Sequence, residues 1–126
     1  MTAARAYSTY TQNNVQIESP EKLVEMLYEG VLRFCSQAKK AIENSDIEKR
    51  VYWINRAVAV FSELIVSLDT ERGGEVAYYL EGLYAQQIKF LNECNIDNDV
   101  KRLDIVMNVT KELLEAWREE VKHELA

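Results

Sequence analysis

Apolar residues recur at three- and four-residue steps along most of the chain, the spacing that places them on one face of an α-helix. The first stretch begins at Ser19-Pro20, where Ser19 is a candidate N-cap and Pro20 suits the first helical position. Its apolar face comprises Leu23, Val24, Leu27, Tyr28, Val31, Phe34, Cys35, Ala38 and Ala41. The pattern fades at residues 43–45, so one helix is predicted up to that point.

The second stretch follows Asp46, a candidate N-cap, and has the most regular pattern in the chain. Its apolar residues alternate steps of four and three: Ile47, Val51, Ile54, Val58, Phe61, Ile65 and Leu68. This seam predicts a helix that packs against neighbouring helices, although many of its residues are β-branched. Residues 69–74 end it, with Gly73 and Gly74 supplying the backbone freedom that a sharp turn needs.

Two more helices are predicted, over about residues 75–92 and 100–122, with a polar break at residues 95–99. The seam of the third helix comprises Val76, Leu80, Leu83, Gln87 and Phe90. The fourth helix presents Leu103, Val106, Met107, Thr110, Leu114, Trp117 and Val121 on one face. Short connections favour antiparallel neighbours. We therefore expect an all-α fold: an antiparallel up-and-down four-helix bundle over residues 19–126, preceded by a short N-terminal arm or helix at residues 1–18.

The composition supports a helical protein that binds neither nucleic acid nor membrane. Only 4 Gly and 1 Pro occur in the 126 residues, whereas tight turns between strands depend on these residue types. The net charge of −6, from 15 basic and 21 acidic residues, argues against a nucleic-acid partner. No stretch of ~20 apolar residues predicts membrane insertion, and the N-terminus lacks the apolar run of a signal peptide. A cytoplasmic location is expected.

Residues suited to catalysis or metal binding are scarce in this sequence. The single histidine, His123, lies three residues from the C-terminal end, so neither a di-iron carboxylate site nor a His-based nucleophilic triad is expected. Cys35 and Cys94 lack the spacing of a zinc or haem site and are interpreted as reduced, buried thiols. We expect no enzyme activity, no cofactor and no metal, and therefore a function in binding.

Small and aromatic residues outside the seams are the candidate binding residues. They are Tyr52, Ala59 and Val66 on one face of the second helix, and Tyr78, Gly82 and Ala85 on the third. Charged residues are usual at such outward positions. On the third helix, Tyr78 beside two very small residues predicts a shallow trough in which a partner helix lies. The alternative is that the tyrosines lie along the bundle with their hydroxyls in water.

Two further pairs of residues leave similar alternatives. Tyr7 and Tyr10 in the N-terminal arm are disordered, dock on the bundle, or contact a partner; an arm that covers an apolar groove would limit exposed hydrophobic area. Gly30 and Gly82 lie inside predicted helices, where glycine is unfavourable. We expect close helix–helix packing at Gly30 and a partner groove at Gly82.

The order of several motifs resembles the flagellar secretion chaperone family FliS. The first motif is Ser19-Pro20-x-Lys22-Leu23-Val24-x-Met26-Leu27-Tyr28-Glu29-Gly30. It is followed by Ile54-Asn55-Arg56-Ala57, Glu63-Leu64-x-x-Ser67-Leu68-Asp69, Gly73-Gly74-Glu75-Val76-Ala77, Leu83-Tyr84, the break at residues 95–99 and Ala116-Trp117. Together these segments cover nearly the whole chain. Tyr10 also matches a tyrosine of the family's N-terminal arm, whereas Tyr7 departs from the family's pattern.

The resemblance implies a cytosolic export chaperone. Such a protein binds the disordered C-terminal segment of flagellin, prevents its premature polymerisation and delivers it to the export gate of the flagellar type III system. The implied partners are flagellin, an export gate protein and, as a further candidate, a co-chaperone. The flagellin groove is then expected at Tyr7, Tyr10, Tyr52, Ala59, Val66, Tyr78, Gly82 and Ala85. The alternative function is a self-associating structural bundle without a flagellin client, whose outward stripes form a homo-oligomer interface.

Overall fold

Four α-helices make up almost all of the described chain. The structure, a computed structural model, describes residues 19–125, with side chains as far as Lys122. The helices are α1 (Pro20–Glu43), α2 (Ile47–Val66), α3 (Thr70–Asp97) and α4 (Val100–Leu125). The predicted arm at residues 1–18, including Tyr7 and Tyr10, lies outside the described residues.

Side-chain N-caps fix where three of the helices begin. The Ser19 hydroxyl accepts from the Lys22 backbone N–H at 3.1 Å, and the Asp46 carboxylate accepts from the Lys49 N–H at 3.1 Å. Both caps were predicted from the sequence. The Asp69 carboxylate does the same for α3 with Arg72. Each cap satisfies one of the backbone donors that the first helical turn leaves unpaired.

The helices form a ring in which each packs against two neighbours, in the order α1, α2, α3, α4 and back to α1. Lys39 near the end of α1 bonds Asp104 near the start of α4 at 3.0 Å. At the opposite end, the Trp117 indole donates to the Glu21 carbonyl at 3.0 Å. Arg50 early in α2 likewise donates to Asn95 late in α3. These contacts confirm the predicted antiparallel four-helix bundle.

The core of the bundle is mostly apolar, and two tyrosines form a hydrogen bond within it. Its largest fully buried side chains include Tyr84, Phe61, Leu23, Ile54, Leu64, Leu91 and Leu103. The hydroxyls of Tyr28 on α1 and Tyr84 on α3 lie 2.6 Å apart, and this bond joins diagonally opposite helices across the interior. A buried hydroxyl needs such a partner because its desolvation is otherwise uncompensated.

Two predicted seam residues are exposed instead of buried. Ile47 is 66% exposed because it is the first residue of α2 and lies at the end of the bundle. Val76 is also 66% exposed. The buried line of α3 comprises Ala77, Leu80, Tyr84, Gln87, Leu91 and Cys94, of which Leu80 is partly buried. The prediction was therefore rotated by about one position, and Leu83 and Phe90 lie at the edge of the core.

The predicted end of α3 was wrong, whereas its predicted start near residue 75 coincides with a kink in the helix. The helix begins at Thr70 and contains a kink at Gly74, whose φ of 54° and ψ of −134° are not helical. The positive φ explains the glycine, since a residue with a Cβ would be strained there. At the other end α3 continues through Asp97 and stops at Asn98, in the left-handed conformation with φ 58°. The break is therefore shorter than residues 95–99.

Candidate functional site

An open groove runs between α1 and α2 on the outside of the bundle. Its volume is about 430 Å³, and its apolar lining includes buried positions of the core. The lining residues are Leu23, Met26, Leu27, Gly30, Arg33, Phe34, Arg56, Ala59, Val60 and Glu63. We call this cavity the α1/α2 groove. Because both walls are helices, its shape is set by packing rather than by a loop.

An aromatic cluster forms one end of the α1/α2 groove. The rings of Phe34 and Trp53 stack with their centroids 5.6 Å apart, and the Tyr52 ring meets Trp53 edge-on at 4.8 Å. The Arg56 guanidinium lies 4.7 Å from the centroid of Phe34 and donates to the Tyr52 hydroxyl at 3.1 Å. Cation–π contact and this hydrogen bond hold the guanidinium in place.

The charges around the α1/α2 groove are separated along its length. Arg33 lies 5.3 Å from the centroid of Phe34, so both arginines are at the aromatic end. Glu63 follows Arg56 by two helical turns on α2 and lines the groove towards its other end. Within residues 19–122, whose side chains the structure describes, no carboxylate forms an ion pair with Arg33 or Arg56.

A second, shallower surface lies on α3 alone. It has an open volume of about 770 Å³ and is lined by Tyr78, Tyr79, Gly82, Leu83, Ala85, Gln86, Lys89 and Phe90. We call it the α3 surface. Tyr78 is 64% exposed and Tyr79 is 68% exposed, so two aromatic rings face solvent side by side. Leu83 and Phe90, predicted as core, extend this surface towards the interior.

The predicted binding residues are divided between these two places. Tyr78, Gly82 and Ala85 are brought together on the α3 surface. On α2, Ala59 lines the α1/α2 groove, whereas Tyr52 is exposed at its aromatic end and Val66 is exposed at the last residue of the helix. All six residues are exposed, as the pattern predicted, but they lie in two separate places.

Gly30 has a different surrounding from the one predicted. A Cβ at this position would meet Phe34 Cε2 at 3.7 Å and Arg33 Nη2 at 3.9 Å, both in α1 itself. These are ordinary contact distances, so close packing of a second helix does not require the glycine. Gly30 instead leaves space in the α1/α2 groove. A Cβ at Gly82 would have no neighbour within 4 Å, which agrees with an open surface.

Sequence reasoning missed most of the α1/α2 groove. It treated Leu23, Leu27 and Phe34 as core only, and it gave Met26, Arg33 and Arg56 no role in binding. One available signal is that Met26 and Gly30 lie four residues apart, so the two share one side of the first helix. Another is that Arg56 follows Tyr52 by one helical turn.

The titratable groups of the interior are held in their neutral forms. Burial raises the pKa of Tyr84, and burial likewise raises the pKa of Tyr28. Burial raises the pKa of the Cys35 thiol to about 12, with Cys94 contributing in the same direction. Both cysteines are free and buried, as predicted. A thiol with so high a pKa carries almost no thiolate at neutral pH and is a poor nucleophile.

Side chains able to hold a metal ion do not come together in the described part of the chain. Across residues 19–122 no group of three or more His, Cys, Asp or Glu residues has a suitable arrangement. Nor is any of the helices in that range both long and apolar enough to cross a membrane.

Comparison with known proteins identifies the family. Residues 3–124 match the family described as "Flagellar protein FliS". The chain belongs to the FliS family. It is 60% identical over 114 residues to the flagellar secretion chaperone FliS of Campylobacter jejuni, covering 90% of this chain and 89% of the relative. The family resemblance inferred from the ordered motifs is thereby confirmed.

More distant FliS proteins match over a similar extent. The flagellar secretion chaperone FliSB of Pseudomonas aeruginosa is 33% identical over 121 residues, covering 93% of this chain and 96% of the relative. FliS of Bacillus subtilis is 31% identical over 124 residues, covering 98% and 92%. Near full-length matches mean that the whole bundle, including both walls of the α1/α2 groove, falls within the shared region.

Proposed function

We propose that this protein is a cytosolic export chaperone that binds the disordered C-terminal segment of its organism's flagellin. Bound in this way, the flagellin is kept from polymerising early and is delivered to the flagellar export gate. The observation that carries the proposal is the α1/α2 groove, an open apolar channel in a protein whose relatives are named flagellar secretion chaperones. No catalytic step is part of this role.

The exposed apolar surfaces support a client that folds as it binds. A disordered segment loses conformational entropy on ordering, so it must bury a large area to bind with useful affinity. The α1/α2 groove alone accommodates about three helical turns, from Leu23 to Phe34. The α3 surface adds a second contact area with Tyr78 and Tyr79 at one end. Helix α2 forms one wall of the groove and packs against α3, which carries the second surface.

The length of the client segment follows from this arrangement. A segment of roughly 40 residues is about 60 Å long as a helix, so it can place one helical part in the groove and, after a bend across α2, a second part on the α3 surface. Tyr52 and Val66, exposed on α2, are then available along the way. The arm residues Tyr7 and Tyr10 remain candidates for contact with the client or the gate.

Calorimetry with a synthetic peptide of roughly the last 40 residues of the organism's own flagellin tests the proposal, since coupled folding buries a large area. Heat of binding and a 1:1 complex are expected. No heat with both components in solution would contradict the proposed client. Sedimentation of the protein alone and with the peptide tests the alternative: a tight homo-oligomer that flagellin fails to dissociate would favour a self-associating bundle.

A further inference from the structure

We propose that the α1/α2 groove takes a client helix that presents one acidic side chain to Arg33 and Arg56, with the helix running parallel to α1. The inference rests on the proposed function for the identity of the client. It adds the chemistry of the bound segment and its direction. The occupant is an amphipathic helix with an apolar stripe towards the groove and a carboxylate at the arginine end.

The pairing of the other arginines singles out these two. Arg72, Arg102 and Arg118 each form an ion pair with a carboxylate of the bundle, and Arg50 donates instead to the side-chain oxygens of Asn95 and Asn98. Arg33 and Arg56 have no carboxylate partner within residues 19–122, although the chain has 21 acidic residues and a net charge of −6. Two unpaired positive charges at one end of an apolar groove therefore form a site that is complementary to a carboxylate.

The geometry of Arg56 prepares it for this contact. Its guanidinium rests on the Phe34 ring and lies 5.5 Å from the Tyr52 centroid, while the Tyr52 hydroxyl accepts from only one of its N–H groups. A guanidinium has five N–H donors in a planar fork that matches a carboxylate. Because the side chain is already held, less conformational entropy is lost when the carboxylate binds.

The chain's own N-terminal segment is a poor source of that carboxylate. Residues 1–18 contain one acidic residue, Glu18, which adjoins Ser19. Ser19 lies at the start of α1, about 20 Å along the helix from Arg33. Charge complementarity at the arginine end therefore favours a separate chain over the protein's own arm.

The direction of the bound helix follows from Glu63. A helix carries partial positive charge at its N-terminus and partial negative charge at its C-terminus. Its N-terminal end is therefore favoured near Glu63 and its C-terminal end near Arg33 and Arg56. Since Leu23 and Glu63 lie towards one end and Phe34 and Arg56 towards the other, the bound helix runs in the direction of α1. The acidic side chain then belongs to its last turn.

The experiment compares charge-reversal variants of the full-length protein, using calorimetry with the flagellin peptide described above. Arg33→Glu and Arg56→Glu each convert attraction into repulsion, and a loss of affinity of about 10-fold is expected for each. Lys111→Glu is the matched control: Lys111 is exposed on α4 and does not line the groove, and the substitution makes the same change in charge. Less than about a 2-fold loss is expected for it. Circular dichroism and thermal melting check that each variant is folded.

A charge swap then locates the partner. Each Asp or Glu of the peptide is changed in turn to Lys, and one such peptide should bind the wild-type protein weakly but regain affinity for R56E. A peptide with an amidated C-terminus should bind like the unmodified peptide. Loss of affinity on amidation would show that the terminal carboxylate is the ligand and would overturn the inference.

The remaining outcomes separate this inference from the proposed function. Folded R33E and R56E proteins that both bind the peptide like wild type overturn the inference and leave the proposed function standing. No binding by the wild-type protein overturns both. A wild-type dimer that R33E or R56E dissociates, as measured by sedimentation, would assign the groove to a second copy of this chain and also overturn the inference.

Discussion

The α1/α2 groove and the α3 surface are both apolar and open, but they are built differently. Two helices wall the α1/α2 groove, so a bound segment has neighbours on both sides as well as beneath it. The α3 surface comes from one helix, and its exposed area depends on Tyr78 and Tyr79. The first can orient a partner through Arg33, Arg56 and Glu63, whereas the second offers mainly aromatic contact area.

This difference suggests a division of labour along the client. A walled groove buries a side chain more completely, and central buried anchors supply most of the energy of an interface. An open aromatic surface adds area with less selectivity. We therefore expect the α1/α2 groove to determine which segment binds and in which direction, and the α3 surface to contribute affinity.

The largest difference in peptide affinity is expected when the same bulky side chain is placed in each of the two surfaces. Ala59→Trp puts an indole into the α1/α2 groove, and Ala85→Trp puts one onto the α3 surface. Calorimetry with the flagellin peptide should show a loss of about 100-fold for A59W and of only a few fold for A85W. Both alanines are exposed, so melting temperatures should change little. Equal losses would contradict the proposed division.

The Tyr28–Tyr84 hydrogen bond connects the helices that carry the two surfaces. Tyr84→Phe removes the 2.6 Å partner of the buried Tyr28 hydroxyl, which should lower the free energy of unfolding by about 1–3 kcal/mol. Urea denaturation measures this loss. The double variant Y28F/Y84F should be less destabilised than the sum of the single variants. Peptide affinity should be unchanged in both, since neither hydroxyl lies in a candidate surface; a large drop would show that the surfaces depend on this bond.

The free energy of unfolding at alkaline pH tests whether water is excluded from the interior beneath both surfaces. Burial raises the pKa of Cys35 from 9.0 to about 12. Between those values the unfolded chain has lost the thiol proton while the folded protein keeps it, so stability falls as pH rises. Cys35 alone should lower the free energy of unfolding by about 1 kcal/mol at pH 10 relative to pH 8. Urea unfolding of wild type and C35A checks this, and C35A should show the smaller decline.

The smallest effects are expected for the two glycines, Gly30 in the α1/α2 groove and Gly82 on the α3 surface. Gly82→Ala should stabilise the protein by roughly 0.5–1 kcal/mol, because the new methyl group meets nothing within 4 Å and helix propensity improves. Gly30→Ala should give a similar gain, since its contacts are of ordinary length. The two should differ in binding: the Gly30 methyl group narrows the α1/α2 groove and weakens peptide affinity, while G82A leaves it nearly unchanged. A destabilised G30A would restore the close-packing interpretation.

The fold was largely predictable because caps and periodicity are local signals. Ser19 and Asp46 marked two helix starts, and regular spacing identified all four helices. The errors have physical causes. Periodicity gives the direction of a side chain around the helix axis, but not how far a neighbouring helix extends, which left Ile47 exposed. On α3, the true buried line shares Leu80 and Gln87 with the predicted seam. It is displaced by about one position elsewhere, because the pattern favoured the more apolar Val76 and Leu83 over their neighbours Ala77 and Tyr84.

The candidate sites were less predictable because helical periodicity assigns each residue to the core or to the surface of its own helix, whereas a groove combines residues of both kinds. Outward apolar residues such as Tyr78 and Ala85 were found by their departure from the seam. The α1/α2 groove was missed because its floor consists of core residues and its polarity comes from arginines on different helices. Arg33 and Arg56 are 23 positions apart in the chain, and only the packing of Phe34 against α2 brings them to one place.

Mapping the bound peptide on the isotopically labelled protein by NMR tests the central claim most directly. Backbone amide shifts should change most in the α1/α2 groove, at Gly30, Arg33, Arg56 and Ala59, and next on the α3 surface at Tyr79 and Gly82. The face between α1 and α4, around Lys39 and Asp104, should change least. Largest changes on that α1/α4 face, with the groove residues unmoved, would contradict the account.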